Sequence, residues 1–186
     1  MPRSAWLDGR LVPLDGAHLS ITDRGFQLGD GLFESLRVRR GTLIEWPEHL
    51  ARLHAGAAVL AIPLVPDEVL EAGIRQLLAA EGLDSTDRER PGDAAVRITV
   101  TRGPIGARGT LPLGWGTGRP TVAIQAWPYE APPPALLEGG IRAVTSGLRR
   151  DPASPLAGVK STSRADYVVA RLEAERAGAD DAMFTT

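Results

Sequence analysis

The chain has 186 residues, a formal net charge of −2 and no cysteine, with 43% hydrophobic and 24% charged residues. That bounds it to one ordinary domain or two small ones with a genuine core, and it excludes disulfides, thiolate metal sites and cysteine nucleophiles. The near-neutral balance argues against an electrostatic hold on nucleic acid or an anionic membrane. With no signal-like run in MPRSAWLDGR and the longest apolar stretch (residues 57–65) broken by Pro63, a soluble cytoplasmic protein is expected.

Residues 4–14 read as a strand pair turned by Asp8-Gly9, and residues 32–46 as a second hairpin turned by Arg40-Gly41. In the second hairpin Phe33, Ser35, Arg37 and Arg39 share one face, and Leu32, Glu34, Leu36 and Val38 the other. Pro47 opens a helix whose apolar stripe is Leu50, Leu53, Ala57 and Leu60, and Pro63 ends it. A second helix follows Pro66, with acids in its first turn, a buried face of Leu70, Ile74, Leu77 and Leu78, and an exit at Gly82.

Val96, Ile98 and Val100 alternate with polar residues as a strand, and Val122, Ile124 and Ala126 mark the next. Between them, residues 103–119 carry six glycines without periodicity, a length that inside a compact domain is usually functional or disordered. The stretch YEAPPPALLEGG (129–140) reads as a stiff linker, which places a first domain at 1–128 and a second at 141–186. In the second domain residues 141–145 predict a strand. Thr162 or Ser163 predicts the cap of a helix running to Ala177, with Ala165, Val168, Val169 and Leu172 facing inward and Gly178 as the stop.

One count carries chemistry. Of 21 basic residues, 20 are arginine and one is lysine, Lys160. A GC-rich coding bias accounts for the arginines but does not choose the exception. Arginine stays protonated, whereas lysine can lose its proton and form an imine, so chance survival and a chemical role both stand on composition alone. A metal site finds no support: His18, His49 and His54 lack ligand spacing. There is no GxxxxGK[ST], GWGTG lacks the last glycine of a dinucleotide fingerprint, and no GxSxG elbow occurs. Arg52 lies off its helix's apolar stripe, where a solvated arginine is the commonest outcome and an anion clamp the sharper one. Arg102 and Arg108 belong to TRGPIGARG, where an arginine in a glycine loop can close over an anion. Phe33 reads by preference as core packing, and Arg164 and Tyr167 as helix-surface residues.

The segments DRGFQLGDGLFESLRV (23–38), EHLARLHAGAAVLAIP (48–63), VTRGPIGARG (100–109) and GVKSTSRADYVVARLEAERAGADDAMF (158–184) together resemble the class IV pyridoxal-phosphate enzymes, with the GDG-x-FE run the strongest. That group holds branched-chain aminotransferases, D-amino-acid aminotransferases and aminodeoxychorismate lyases. The resemblance implies an α+β fold, with a small N-terminal α+β domain and the beginning of a pseudo-barrel second domain. It implies pyridoxal 5'-phosphate as cofactor, amino-acid and keto-acid substrates, and a homodimer. By the same resemblance Lys160 matches the lysine that holds the cofactor, and Arg52 the arginine that grips its phosphate, in place of the solvated reading. Phe33 matches a pocket-lining aromatic, Arg108 a loop arginine that contacts substrate carboxylate, and Arg37 a pocket-side arginine of the branched-chain branch.

Three functions follow. The first is an aminotransferase acting between an amino acid and a 2-keto acid. The second is aminodeoxychorismate lyase, releasing pyruvate to give p-aminobenzoate. The third is a truncated, inactive domain, since members of the family continue past the point where this chain stops. Ser163 departs from the asparagine of several branches, Arg164 agrees with the lyases, and Glu34 agrees with the aminotransferases.

Overall fold

The computed structural model describes residues 3–87, 92–105 and 118–186. They form two compact units. One comprises residues 1–129 with 159–163, and the other residues 130–158 with 164–186.

The first unit is built on a six-stranded antiparallel sheet. Its strands are β1 (Ser4–Leu7), β2 (Arg10–Pro13), β3 (Gly31–Arg39), β4 (Thr42–Leu43), β5 (Ala94–Thr101) and β6 (Thr121–Pro128), in the order β2-β1-β6-β5-β3-β4. Both hairpin turns form where expected. Asp8-Gly9 (φ 48° and 95°) and Arg40-Gly41 (φ 47° and 72°) take the paired left-handed conformation that matches strand twist. The returning strand is shorter than the expected Thr42–Trp46, because the chain leaves the sheet after Leu43 and Trp46 already starts a helix.

Alternation along the strands sends one set of side chains onto two helices, α2 (Trp46–Leu60) and α3 (Asp67–Glu81). A short helix, α1 (Arg24–Leu28), precedes β3. Trp6, Leu32, Leu36, Val96, Ile98, Val100, Val122 and Ile124 pack with Leu53 and Ala57 of α2 and with Leu70, Ile74, Leu77 and Leu78 of α3. The four residues chosen for the buried face of α3 are all at most 1% exposed. Gly82 ends α3 in the left-handed conformation (φ 67°), where a side chain is strained.

The second unit is a parallel pair, β7 (Ala143–Arg149) and β8 (Asp181–Thr185), with α5 (Ala165–Arg176) packed on it and α4 (Pro134–Gly139) before it. Two expectations are corrected here. The stretch 129–140 is not extended throughout: residues 134–139 are helical, with Pro134 in the first turn where its missing N–H costs nothing. On α5 the buried residues are Ala170 and Ala174, while Val168, Val169 and Leu172 are exposed. In so alanine-rich a helix, close approach to the sheet selects the small side chains over the larger apolar ones. Gly178 (φ 66°) follows the end of α5 as anticipated. None of the described helices is long and apolar enough to cross a membrane.

Candidate active site

Lys160 belongs to the first unit through its backbone. The segment 160–162 lies along the free edge of β3 as a short antiparallel bridge, Leu32 opposite Ser161. The Phe33 N–H donates to the Lys160 carbonyl (3.0 Å), and the Thr162 N–H donates to the Gly31 carbonyl (2.9 Å). The two glycines of GDG make this approach possible. Gly29 is left-handed (φ 67°), and a Cβ there would sit 3.0 Å from Cβ of Ser163. At Gly31 a Cβ would meet the Val100 carbonyl at 2.9 Å and the Thr162 hydroxyl at 3.1 Å.

This docking also corrects the expected helix cap. Thr162 does not cap α5. Its hydroxyl donates to the Gly29 carbonyl at 2.8 Å, and the helix starts after Arg164 without a side-chain cap.

Consecutive residues of β3 then serve opposite faces, as strand alternation requires. Phe33 is buried, and two cations lie against its ring: Lys160 Nζ at 4.6 Å and Arg97 Cζ at 3.9 Å from the centroid. Arg97 comes from β5, opposite Ser35, and its Nε donates to the Thr99 hydroxyl at 3.3 Å.

Glu34 turns toward α2. It accepts a bidentate pair from Arg52, Nε to Oε1 at 2.7 Å and Nη2 to Oε2 at 2.6 Å, and its Oε2 lies 2.8 Å from His49 Nδ1. Burial pushes the Glu34 carboxyl up, but the hydrogen bonds from Arg52 and His49 outweigh it and hold the group below its ordinary value. The same hydrogen bond to Glu34 raises Arg52. Arg52 is 46% exposed, so one edge of its guanidinium is fixed while Nη1 has no described partner.

A buried ionic cluster braces the start of β3. Asp30 accepts from Arg24 Nε (2.8 Å) and from Arg102 Nε and Nη2 (2.7 and 3.0 Å). Arg102 also donates to the carbonyls of Leu60 and Ala61, at the C-terminal end of α2. Burial raises the Asp30 carboxyl and the two guanidinium groups more than reverse it, leaving it lowered. Arg102 is thus a buried tie between β5 and α2, 3% exposed, rather than a loop arginine open to a ligand.

The sequence-predicted residues divide. Phe33 and Lys160 are in contact, and Arg52 binds the neighbour of Phe33 in β3. Arg37 stands four residues further along the strand, about 13 Å away. There it pairs with Asp93 (3.0 Å) and stacks over Tyr129 (4.0 Å). Arg108 lies outside the described residues. Sequence reasoning missed Glu34, His49 and Arg97 as partners. A signal existed: Glu34 falls on an otherwise apolar strand face, where a carboxylate needs a partner, and His49 and Arg52 share a helix face at i, i+3. Among the described residues no group of three or more His, Asp or Glu is placed to hold a metal ion.

The sequence pattern of the family described as amino-transferase class IV matches residues 31–186. A provisionally named branched-chain-amino-acid aminotransferase of Methanocaldococcus jannaschii is 36% identical over 182 residues, covering 96% of this chain and 58% of that protein. The crystal structure of 4-amino-4-deoxychorismate lyase from Pseudomonas aeruginosa superposes with a TM-score of 0.75 at 34% identity, over 97% of this chain and 60% of that one. A hypothetical aminotransferase from Mycobacterium tuberculosis, solved in a PLP-bound form, gives a TM-score of 0.75 at 26% identity, over 97% and 61%. The chain therefore spans about three fifths of the length of these relatives.

Proposed function

The chain belongs to the class IV amino-transferase family, and from that premise we propose that it carries the lysine-bearing site of a pyridoxal-phosphate-dependent aminotransferase, which moves an amino group between an amino acid and a 2-keto acid. The observation that carries the proposal is the placement of the chain's one lysine. Lys160 is fixed on the edge of β3 with its ammonium at the Phe33 ring, one residue from the carboxylate that orients Arg52.

The residues present fit the cofactor. Lys160 offers a primary amine, and Arg52 offers a half-exposed guanidinium, already oriented, with Nη1 left for a phosphate oxygen. Pyridoxal phosphate, when bound, supplies a carbonyl that takes up amines and a ring that withdraws electrons from the substrate Cα. Lys160 would hold the group, and its amine, once freed, would serve as the base that takes the proton from the substrate Cα. Glu34 keeps Arg52 in register. Phe33 walls the pocket, and Arg97 presents a cation beside it that suits a substrate carboxylate. Arg37 and Arg108 are proposed as outer substrate contacts, and the working enzyme as a cytoplasmic homodimer.

The lyase reading keeps specific support in the 34% identity to a solved aminodeoxychorismate lyase. Keto-acid-dependent amine transfer against pyruvate release from aminodeoxychorismate separates the two.

The test uses the lone lysine. The protein is incubated with pyridoxal phosphate, reduced with borohydride and mapped by peptide mass spectrometry. Stoichiometric label on the Lys160 peptide is expected. Label confined to the N-terminal amine would sink the proposal.

A further inference from the structure

We infer that Thr162 is a positioning residue for Lys160: its hydroxyl locks the lysine-bearing segment onto β3 and so fixes where the lysine amine stands. The inference rests on the functional reading above, and nothing in that reading requires a hydroxyl two residues after the lysine.

Among the described residues, the segment 160–162 reaches β3 through two backbone hydrogen bonds, Phe33 N–H to Lys160 and Thr162 N–H to Gly31. A bridge that short is easily frayed. Two side chains hold it on either side of the lysine. Val159 packs into the apolar core, with Cγ1 3.6 Å from the position a Cβ would take at Gly56 of α2. Thr162 donates its hydroxyl to the Gly29 carbonyl at 2.8 Å.

That carbonyl also accepts the Gly31 N–H at 2.9 Å, so the turn that ends α1 and the Thr162 hydroxyl together use both its lone pairs. The turn is itself rigid. Gly29 N–H closes on Gly25, and the intervening Asp30 is held by two buried arginines. The Thr162 hydroxyl is therefore tied to a fixed point, and the lysine two residues away inherits that fixity. A slip of one residue in this bridge would turn Lys160 from the Phe33 side of the strand to the other, because side chains alternate.

The test compares wild type with Thr162→Val, which keeps the shape and loses the donor, and Thr162→Ser, which keeps the donor. The first readout is the pyridoxal phosphate concentration giving half-maximal borohydride trapping on the Lys160 peptide. It is expected to rise about tenfold in T162V and to return to the wild-type value in T162S, with cooperative melting retained in both. The second readout needs no cofactor. Exchange of the Phe33 and Thr162 amides is expected to quicken severalfold in T162V and not in T162S.

Trapping in T162V equal to wild type overturns the inference, as does an equal loss in T162V and T162S. If wild type traps no cofactor, it is the functional reading that fails, and the exchange readout alone then judges the lock: quickened exchange in T162V supports it, and unchanged exchange overturns it. If T162V does not melt cooperatively, Thr162→Ala set against Thr162→Ser isolates the hydroxyl under the same criteria.

Discussion

The six-stranded sheet rests on α2 and α3 through Leu32, Ile98, Ile124, Ile74 and Leu77, each at most 1% exposed. The two-stranded sheet of the other unit meets α5 through Ala170 and Ala174, while Val168, Val169 and Leu172 stand 59%, 45% and 42% exposed. The first unit is held by apolar burial. The second is held by backbone pairing and by contacts between charged and aromatic side chains: Arg150 pairs with Asp166 at 2.6 Å and lies over the rings of Tyr167 and Phe184, which meet edge to face. All the described candidate site residues, Phe33, Arg37, Arg52 and Lys160, sit in the well-packed unit. The contrast teaches that the geometry around Lys160 draws its stability from the first unit's core and ionic cluster, and substitutions in the two units test that unequally.

The largest effect is expected from the buried cluster at the start of β3. Asp30→Ala removes the one carboxylate that ties Arg24 and Arg102, each 3% exposed, together, and breaking buried ion pairs of this kind costs about 3–5 kcal/mol. Chemical denaturation should show that loss. A change below about 1 kcal/mol would mean that the arginines' remaining contacts suffice, and the first unit would be less tightly specified than its packing implies.

Glu34→Gln comes next. The amide keeps one acceptor but loses the charge and the second parallel bond to Arg52, which costs about 1–2 kcal/mol given that Arg52 is half exposed. The same variant should need more pyridoxal phosphate for half-maximal trapping on Lys160, because the guanidinium is no longer held at one edge. Wild-type trapping would show that Arg52 needs no orienting carboxylate.

The pH dependence follows from the same two carboxyls. Asp30 and Glu34 are both lowered in the folded protein. The unfolded chain binds more protons at these sites as pH falls below the ordinary carboxylate value of about 4. Their contribution is therefore fully present above that value and is lost as pH drops through the folded values. Stability of wild type measured from pH 6 downward should fall steeply below about pH 4, and Glu34→Gln should fall less steeply. Parallel curves would remove the carboxylate from the account.

Much of this was legible in the sequence where one periodicity dominated. The buried face of α3 and the alternation of β3, β5 and β6 follow from where large apolar residues recur. The two left-handed hairpin turns follow from Asp8-Gly9 and Arg40-Gly41. Lys160 stood out by composition. What stayed hidden was long-range. That Gly29 and Gly31 admit the backbone of residues 160–163 depends on a contact some 130 residues away, and local spacing cannot report it. Thr162 or Ser163 is the local expectation for a helix cap, because such residues before a helix usually are one, and a distant carbonyl claims the Thr162 hydroxyl instead. The packed face of α5 is hidden because its alanines carry little periodic signal beside valine and leucine.

The smallest effect is expected on α5. Leu172→Ser changes a residue 42% exposed in a unit whose helix packs through alanines, so it should alter stability by no more than about 0.5 kcal/mol. Ala174→Leu, by contrast, forces a larger side chain between α5 and its sheet and should cost about 1–3 kcal/mol. The pair reads which face of α5 is packed in solution. If Leu172→Ser proves the costlier change, the exposed apolar face of α5 is covered by something other than its own unit, and the contrast between the two units becomes a contrast between a self-sufficient core and one completed from outside.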